Sequence, residues 1–112
     1  MSQDYIRHES MRIGGEKIQT KTLIDVTNPF TERVIGTVPS ADANHVENAF
    51  EIAANYIPRL TRYERQQILF RTAELIRKRQ DEIAHWLSLE LGICLQHSLY
   101  ETNRSYDVFT LA

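Results

Sequence analysis

The sequence has little of what marks a secreted or membrane protein. Cys94 is its one cysteine, so no disulfide can form within the chain, which fits a reducing compartment. No apolar run approaches the roughly 20 residues that a membrane-spanning helix needs. The start of the chain is polar and lacks the apolar segment of a secretory signal. We therefore expect a cytoplasmic protein without a membrane partner.

The chain also has no excess of either charge. It carries 13 Lys and Arg residues against 15 Asp and Glu residues, a net charge of −2. Proteins that bind nucleic acid need basic residues in excess to neutralise phosphates, so we expect no nucleic-acid partner. The basic run at 77–79 lies among acidic residues and is typical of a solvated helix face of mixed charge.

The four glycines build no phosphate-binding loop. Both nucleotide-binding glycine signatures are missing from the sequence, so we expect no cofactor-binding residue in this chain. The pair Gly14-Gly15 instead separates two short alternating stretches, 11–13 and 17–19. Glycine reaches positive φ without steric cost, so this pattern predicts a tight hairpin.

The first third of the chain is predicted to be strand-rich. Strand candidates at 23–27 and 33–38 each end at a proline, which lacks an N–H group and restricts the residue before it. Together with the hairpin they predict a small two-layer antiparallel patch rather than a parallel sheet. Residues 1–9 are predicted to form a flexible tail.

Two helices with recognisable starts follow. Ser40 or Asp42 can cap the first helix, which Pro58 ends. Thr61 and Glu64 can form a capping box for the second helix. Apolar positions of the first helix recur at helical spacing: Val46, Ala49, Phe50, Ala53, Ala54 and Ile57. The predicted buried face of the second helix is Ile68, Leu69, Thr72, Leu75 and Ile76.

Two further helices complete the pattern. Asp81 can start the third helix, and Gly92 suits the position that follows a helix end. The fourth helix is predicted from Leu95 to the end of the chain. Its predicted stripe is Leu95, Leu99, Thr102, Tyr106 and Phe109. The last six residues contain no helix stop signal, which favours a truncation through this helix.

Two residue pairs could in principle carry chemistry. Cys94 and His97 suggest a nucleophile, but a Cys/His pair alone is a poor signal, and we interpret Cys94 as an inert loop or core thiol. Glu82 and His85 have the i, i+3 spacing of di-iron bundles, which need two such motifs and two further glutamates. We interpret this pair as surface residues and expect no metal.

Arg104 is the charged residue that we single out. It follows Tyr100 and precedes Tyr106, and it flanks the apolar stripe of the fourth helix. An arginine held by two tyrosines could present its planar fork to a carboxylate or phosphonate. The alternative that spacing favours is a salt bridge to Glu101 or Asp107.

The order of these motifs, from about residue 11 to the end, resembles the aldehyde dehydrogenase family. The motifs are Ile13-Gly14-Gly15-Glu16, Val26-Thr27-Asn28-Pro29-Phe30-Thr31, Val34-Ile35-Gly36-Thr37-Val38-Pro39, the helices at Val46 and 61–71, and Leu87-Ser88-Leu89-Glu90-Leu91-Gly92. The resemblance implies an α+β segment of the family's α/β fold, with short antiparallel strands and about four helices. Residues 10–112 would form the truncated amino-terminal part of the cofactor-binding domain region.

The second half is similar to one branch, the phosphonoacetaldehyde dehydrogenases. The similar segments are 60–66, 89–93, 98–101, Arg104 and 106–112. The branch oxidises an aldehyde that carries a phosphonate, and the helix matching the fourth helix borders the family's substrate entrance. The resemblance therefore implies a substrate-binding role for Arg104.

The family's mechanism is implied in the same way. A cysteine thiolate attacks the aldehyde, a hydride passes to NAD or NADP, and a glutamate activates water to hydrolyse the thioester. The catalytic residues of the family match positions beyond this chain, so we expect none here. The resemblance implies a small-molecule aldehyde substrate and a homodimer or homotetramer. Alternatives are a stand-alone helical interaction module, a truncated relic without catalysis, or a metal-binding helical bundle.

Overall fold

The computed structural model describes residues 6–112 and divides the chain into two compact units, with the boundary in the sequence between Pro58 and Arg59. The described part of the first unit has strands β1 (Arg7–His8), β2 (Met11–Ile13), β3 (Glu16–Ile18), β4 (Leu23–Thr27) and β5 (Val34–Pro39), and helix α1 (Ala43–Ala54). The second unit has helices α2 (Arg62–Lys78), α3 (Gln80–Leu91) and α4 (Leu95–Leu111). The predicted α+β class with four helices is confirmed. The assignment of residues 10–112 to the amino-terminal part of a cofactor-binding domain region stays a prediction.

The predicted hairpin is formed by β2 and β3, which pair antiparallel. Gly14 and Gly15 connect the strands with φ values of 60° and 89°. Both residues of this two-residue turn need positive φ, which glycine adopts without a Cβ clash. The glycine pair therefore sits in a turn between strands and not at the start of a helix.

The remaining strands form one sheet in the order β1-β5-β4. Strand β4 runs antiparallel to β5, as predicted, but β1 runs parallel to β5, with Arg7 opposite Gly36. The purely antiparallel patch was therefore a wrong prediction, and so was the tail for residues 7–8. A Cβ at Gly36 would lie 2.8 Å from the Arg7 carbonyl oxygen, so the missing side chain allows β1 to pair here. The predicted tail residues 1–5 lie outside the described part.

Helix α1 begins after Asp42, whose Oδ1 accepts a hydrogen bond of 2.9 Å from the His45 backbone N–H. The helix ends at Ala54, four residues before the predicted stop at Pro58. Four residues of its predicted apolar stripe line a shallow groove of about 370 Å³ together with residues of β2: Val46, Ala49, Phe50 and Ala53. No residue of α1 is buried, and Phe50 in that stripe is 73% exposed.

Helix α2 has the predicted capping box. The Thr61 backbone N–H donates to Glu64 Oε2 over 2.7 Å, and the Glu64 N–H donates to Thr61 Oγ1 over 3.2 Å. The bond from the Thr61 N–H favours the ionised carboxylate and holds the pKa of Glu64 below its usual value. The capping box thereby satisfies two of the backbone N–H groups at this helix end.

Small side chains form the core of the second unit. Ala73, Ala84, Ser98 and Thr102 are the residues of α2, α3 and α4 that are fully buried. The prediction that Ile68, Leu75 and Leu95 are buried was wrong, because they are 47%, 54% and 53% exposed. Small residues let two helix backbones approach closely. The helices therefore touch one another at these small residues, and the larger neighbouring side chains stay outside the contact.

The connections between these helices are short. Helix α3 starts at Gln80, one residue before the predicted Asp81, and only Arg79 separates it from the end of α2. Gly92 ends α3 with φ 68°, the left-handed conformation that the sequence predicted at this position. None of the helices within residues 6–112 is long and apolar enough to cross a membrane.

Candidate functional site

The candidate site lies on the exposed side of α4. Helix α4 starts at Leu95 after Cys94, whose extended backbone forms the N-cap. Ser98 and Thr102 are buried, and α4 packs against both α2 and α3. Residues three, four and seven apart share a helix face, so the remaining side of α4 is exposed, and Tyr100 and Arg104 lie on it.

Arg104 is the centre of this side. Its Nη1 lies 3.4 Å from both Glu101 Oε1 and Glu101 Oε2, one turn earlier on the helix. The guanidinium carbon lies 5.9 Å from the centroid of the Tyr100 ring, within the range of a cation–π contact. The Arg104 side chain is 61% exposed. It therefore presents a charged, planar donor group to solvent above an aromatic ring.

The Tyr100 ring also contacts a second ring, that of His97. The His97 ring meets the Tyr100 ring edge-on, with centroids 6.4 Å apart and planes at 62°. Tyr100 is 59% exposed. Because His97, Tyr100 and Arg104 are spaced three and four residues apart, they form a continuous row along one face of α4. We name this row the α4 ladder; the contribution of His97 was not predicted, although its spacing to Tyr100 is visible in the sequence.

A surface pocket of about 390 Å³ adjoins the start of the α4 ladder. Its lining residues are Cys94, Gln96, His97 and Tyr100. Aromatic rings and an amide form most of this wall, and no carboxylate contributes to it. The pocket lies next to the Tyr100 ring, which contacts Arg104.

Of the two tyrosines considered as neighbours of Arg104, the structure places Tyr100 against its guanidinium. Tyr106 instead lies under Arg77 of α2, whose guanidinium carbon is 5.7 Å from the ring centroid. Of the two carboxylates considered as alternatives, the structure pairs Arg104 with Glu101. Arg104 is thus shared between one aromatic ring and one acidic neighbour.

Cys94 is an exposed free thiol at the rim of this pocket. It lies at the start of the fourth helix, as predicted, and outside the core. Its carbonyl oxygen accepts backbone hydrogen bonds from His97 and Ser98 over 3.0 and 3.1 Å. We assign it no catalytic role, since no general base is positioned to activate it among the described contacts.

The Glu82 and His85 pair has surroundings typical of a helix surface. Glu82 accepts hydrogen bonds from Arg79 Nε and Nη2 over 2.8 and 2.7 Å. The His85 ring meets the neighbouring Trp86 ring edge-on at 6.3 Å. Within residues 6–112, no three His, Cys, Asp or Glu side chains are grouped so that they could hold a metal ion.

The sequence of this chain is similar to those of one known protein family. The aldehyde dehydrogenase family profile matches residues 16–112. The lactaldehyde dehydrogenase of Methanococcus aeolicus is 30% identical over 102 residues, which is 88% of this chain and 22% of that protein. The human mitochondrial methylmalonate-semialdehyde/malonate-semialdehyde dehydrogenase is 35% identical over 101 residues, covering 86% of this chain and 19% of that protein.

Solved structures agree with the sequence match. The crystal structure of an NAD-dependent aldehyde dehydrogenase from Sinorhizobium meliloti is similar, with a TM-score of 0.87 and 28% identity. The match covers 96% of this chain and 23% of that one. The chain therefore spans about a fifth of the length of the curated relatives described above. On its profile, its sequence identity and its backbone, the chain belongs to the aldehyde dehydrogenase family.

Proposed function

We propose that the chain forms the amino-terminal part of an NAD(P)-dependent aldehyde dehydrogenase that oxidises a small anionic aldehyde to a carboxylate. The substrate that we propose is a phosphonate-bearing aldehyde such as phosphonoacetaldehyde, and Arg104 binds its anionic group. The observation that carries the proposal is the exposed Arg104 guanidinium above the Tyr100 ring. A homodimer or homotetramer is the assembly that we propose for the whole enzyme.

The chemistry of Arg104 suits a phosphonate. A guanidinium stays charged at any physiological pH and offers donors in a rigid fork that matches two oxygens of one anion. The Tyr100 ring lies along one side of the group, which restricts its orientation without neutralising it. Arg104 can therefore receive an anion from the solvent side of α4.

The names of the relatives support an anionic substrate in part. Malonate semialdehyde, named for the human enzyme, is an aldehyde that carries a carboxylate. Lactaldehyde, named for the enzyme from Methanococcus aeolicus, carries no charge. The family thus accepts both kinds of aldehyde. The choice of a phosphonate rests on the resemblance to the phosphonoacetaldehyde branch, which covers residues 60–66, 89–93, 98–101, Arg104 and 106–112.

The nicotinamide cofactor, when bound, supplies the acceptor for the aldehyde's hydride. The described residues give it no glycine-rich loop at a helix start, because Gly14 and Gly15 lie inside the β2–β3 hairpin. We therefore assign none of the described residues to the cofactor. The role proposed for this segment is to bind and orient the substrate.

The test is Arg104→Ala in the full-length dehydrogenase that contains this segment. A charge-assisted hydrogen bond stabilises by about 1.5–3 kcal/mol, so kcat/KM for phosphonoacetaldehyde should fall roughly 10- to 100-fold. The value for propanal, a neutral aldehyde, should stay within about twofold. Arg104→Lys keeps the charge without the fork and should give an intermediate loss. Arg71→Ala, at an exposed position of α2, is the matched control and should change neither substrate. Equal losses for both aldehydes would contradict the proposal.

A second candidate is a stand-alone helical interaction module or a relic without catalysis. It is favoured by the apolar residues around α1, where Phe50 and Ile57 are each 73% exposed. Exposed apolar surface of this kind indicates contact with further protein. The denatured intact mass of the protein from its native cell distinguishes the two. A mass several times 13.1 kDa supports the dehydrogenase, and a mass near 13.1 kDa supports the module or relic.

A further inference from the structure

We propose that Glu101 sets how tightly the site binds an anionic substrate, because its carboxylate competes with the substrate for the Arg104 guanidinium. This inference rests on the proposed function, in which Arg104 is the anion-binding residue. Glu101 acts here as a specificity-determining residue that favours uncharged or weakly charged aldehydes.

The geometry of the Glu101–Arg104 pair indicates a displaceable partner. Both carboxylate oxygens lie 3.4 Å from a single nitrogen, Nη1. A strong charge-assisted bond between such groups measures about 2.7–2.9 Å. Within residues 6–112, Nη2 and Nε of Arg104 donate no hydrogen bond to the protein. Most of the guanidinium fork is therefore available to another anion.

A second pair in the same unit gives a direct comparison. Arg79 and Glu82 have the same i, i+3 spacing, but two guanidinium nitrogens reach the carboxylate at 2.8 and 2.7 Å. The fork of Arg79 is thus occupied at both of these nitrogens, whereas Arg104 is held at one end and at a longer distance. The two pairs have the same i, i+3 spacing, so this spacing alone does not explain why the contact between Arg104 and Glu101 is longer.

A second contact of Arg104 keeps its guanidinium in position when the contact with Glu101 breaks. The Tyr100 ring lies 5.9 Å from the guanidinium carbon, and the His97 ring braces Tyr100 edge-on. The pocket of about 390 Å³ beside this ring has no carboxylate in its wall. A substrate seated there could place its anionic group on the free part of the fork.

The charge on Glu101 then opposes the substrate in two ways. It occupies Nη1, and it repels an incoming anion across a few ångströms. The two side chains are 61% and 44% exposed, so the pair itself is weak and its loss should leave the helix folded. Replacing Glu101 with glutamine keeps the side-chain size and removes only the charge.

The experiment is Glu101→Gln in the full-length dehydrogenase. We expect KM for phosphonoacetaldehyde to fall about two- to fivefold, the range that a weak exposed ion pair allows. We expect kcat for that substrate and both constants for propanal to stay unchanged. Raising the ionic strength should narrow the difference between wild type and variant, because salt screens exposed charges. Glu82→Gln removes the same charge from the Arg79 pair and is the matched control; it should not change KM.

The outcomes separate the two proposals. If Arg104→Ala leaves phosphonoacetaldehyde turnover unchanged, the proposed function itself fails. If Arg104→Ala weakens turnover but Glu101→Gln leaves KM unchanged or raises it, only the competition is overturned. A KM that falls equally for propanal would also overturn it, because a neutral aldehyde does not compete for the guanidinium.

Discussion

Asp42 and His45 meet at the start of α1 through two contacts that exclude each other. His45 Nδ1 lies 2.6 Å from Asp42 Oδ1 and 3.3 Å from the Asp42 backbone nitrogen. A ring nitrogen that carries a proton donates to the carboxylate but cannot accept from the backbone N–H. The shorter distance indicates that Nδ1 donates to an ionised Asp42. The same Asp42 oxygen also accepts the backbone hydrogen bond that caps α1, so protonation of this carboxylate should weaken the cap.

This dependence predicts a response to acid. The pKa of Asp42 lies below its usual value of 3.8, mainly because the His45 backbone N–H donates to the carboxylate. A lowered pKa stabilises the folded state above the usual value, and this stabilisation is lost as the pH falls through the folded pKa. The first turn of α1 should therefore stay intact above pH 3.8 and weaken below it. Asp42→Asn keeps an oxygen acceptor without the charge and should abolish this response. The measurement is the chemical shift of the His45 amide against pH, and the same titration in both proteins would contradict the prediction.

Thr61→Ala should destabilise α2. The substitution removes the hydroxyl that accepts from the Glu64 N–H, and loss of such a cap costs about 1 kcal/mol. Thr110→Ala is the matched control, because the Thr110 hydroxyl donates only to the Tyr106 carbonyl within α4 and is exposed. Alanine is the better helix former there, so the control should be neutral or slightly stabilising. Urea unfolding of both variants is the measurement, and equal stabilities would argue against the capping box.

Gly36→Ala should separate β1 from β5. The added Cβ would lie 2.8 Å from the Arg7 carbonyl oxygen, a backbone atom that cannot move without shifting β1. The Glu9 amide, which donates to the Thr37 carbonyl over 3.1 Å, should then exchange faster with solvent. The Val38 amide, on the stretch of β5 that pairs with β4, serves as an internal control and should stay protected. Unchanged exchange at Glu9 would contradict the prediction.

Local features of this fold could be predicted because short stretches of chain determine them. The Gly14-Gly15 turn, the Thr61 cap and the left-handed Gly92 each satisfy or shape backbone groups within about four residues. The partners of such groups are adjacent in the sequence. Residue type and spacing were therefore sufficient to predict them.

The candidate site could be predicted only in part. Arg104 and Tyr100 are four residues apart and share a helix face, so their contact follows from the sequence. Arg104 and Tyr106 are two residues apart and point to different sides of α4. The suggestion that two tyrosines hold Arg104 did not take this spacing into account. The partner of Tyr106 is Arg77 on another helix, and no local pattern could identify it.

The sequence by itself determined the helices, the hairpin and the family, since these depend on periodicity, caps and motif order. The tertiary structure alone decided which residues are buried and which distant segments pair. Helix contacts pass through Ala73 and Ser98 rather than Ile68, because backbone approach depends on the volumes of facing side chains on other helices. The Arg7–Gly36 pairing joins positions 29 residues apart, and its requirement for a missing Cβ appears only when the two strands lie side by side.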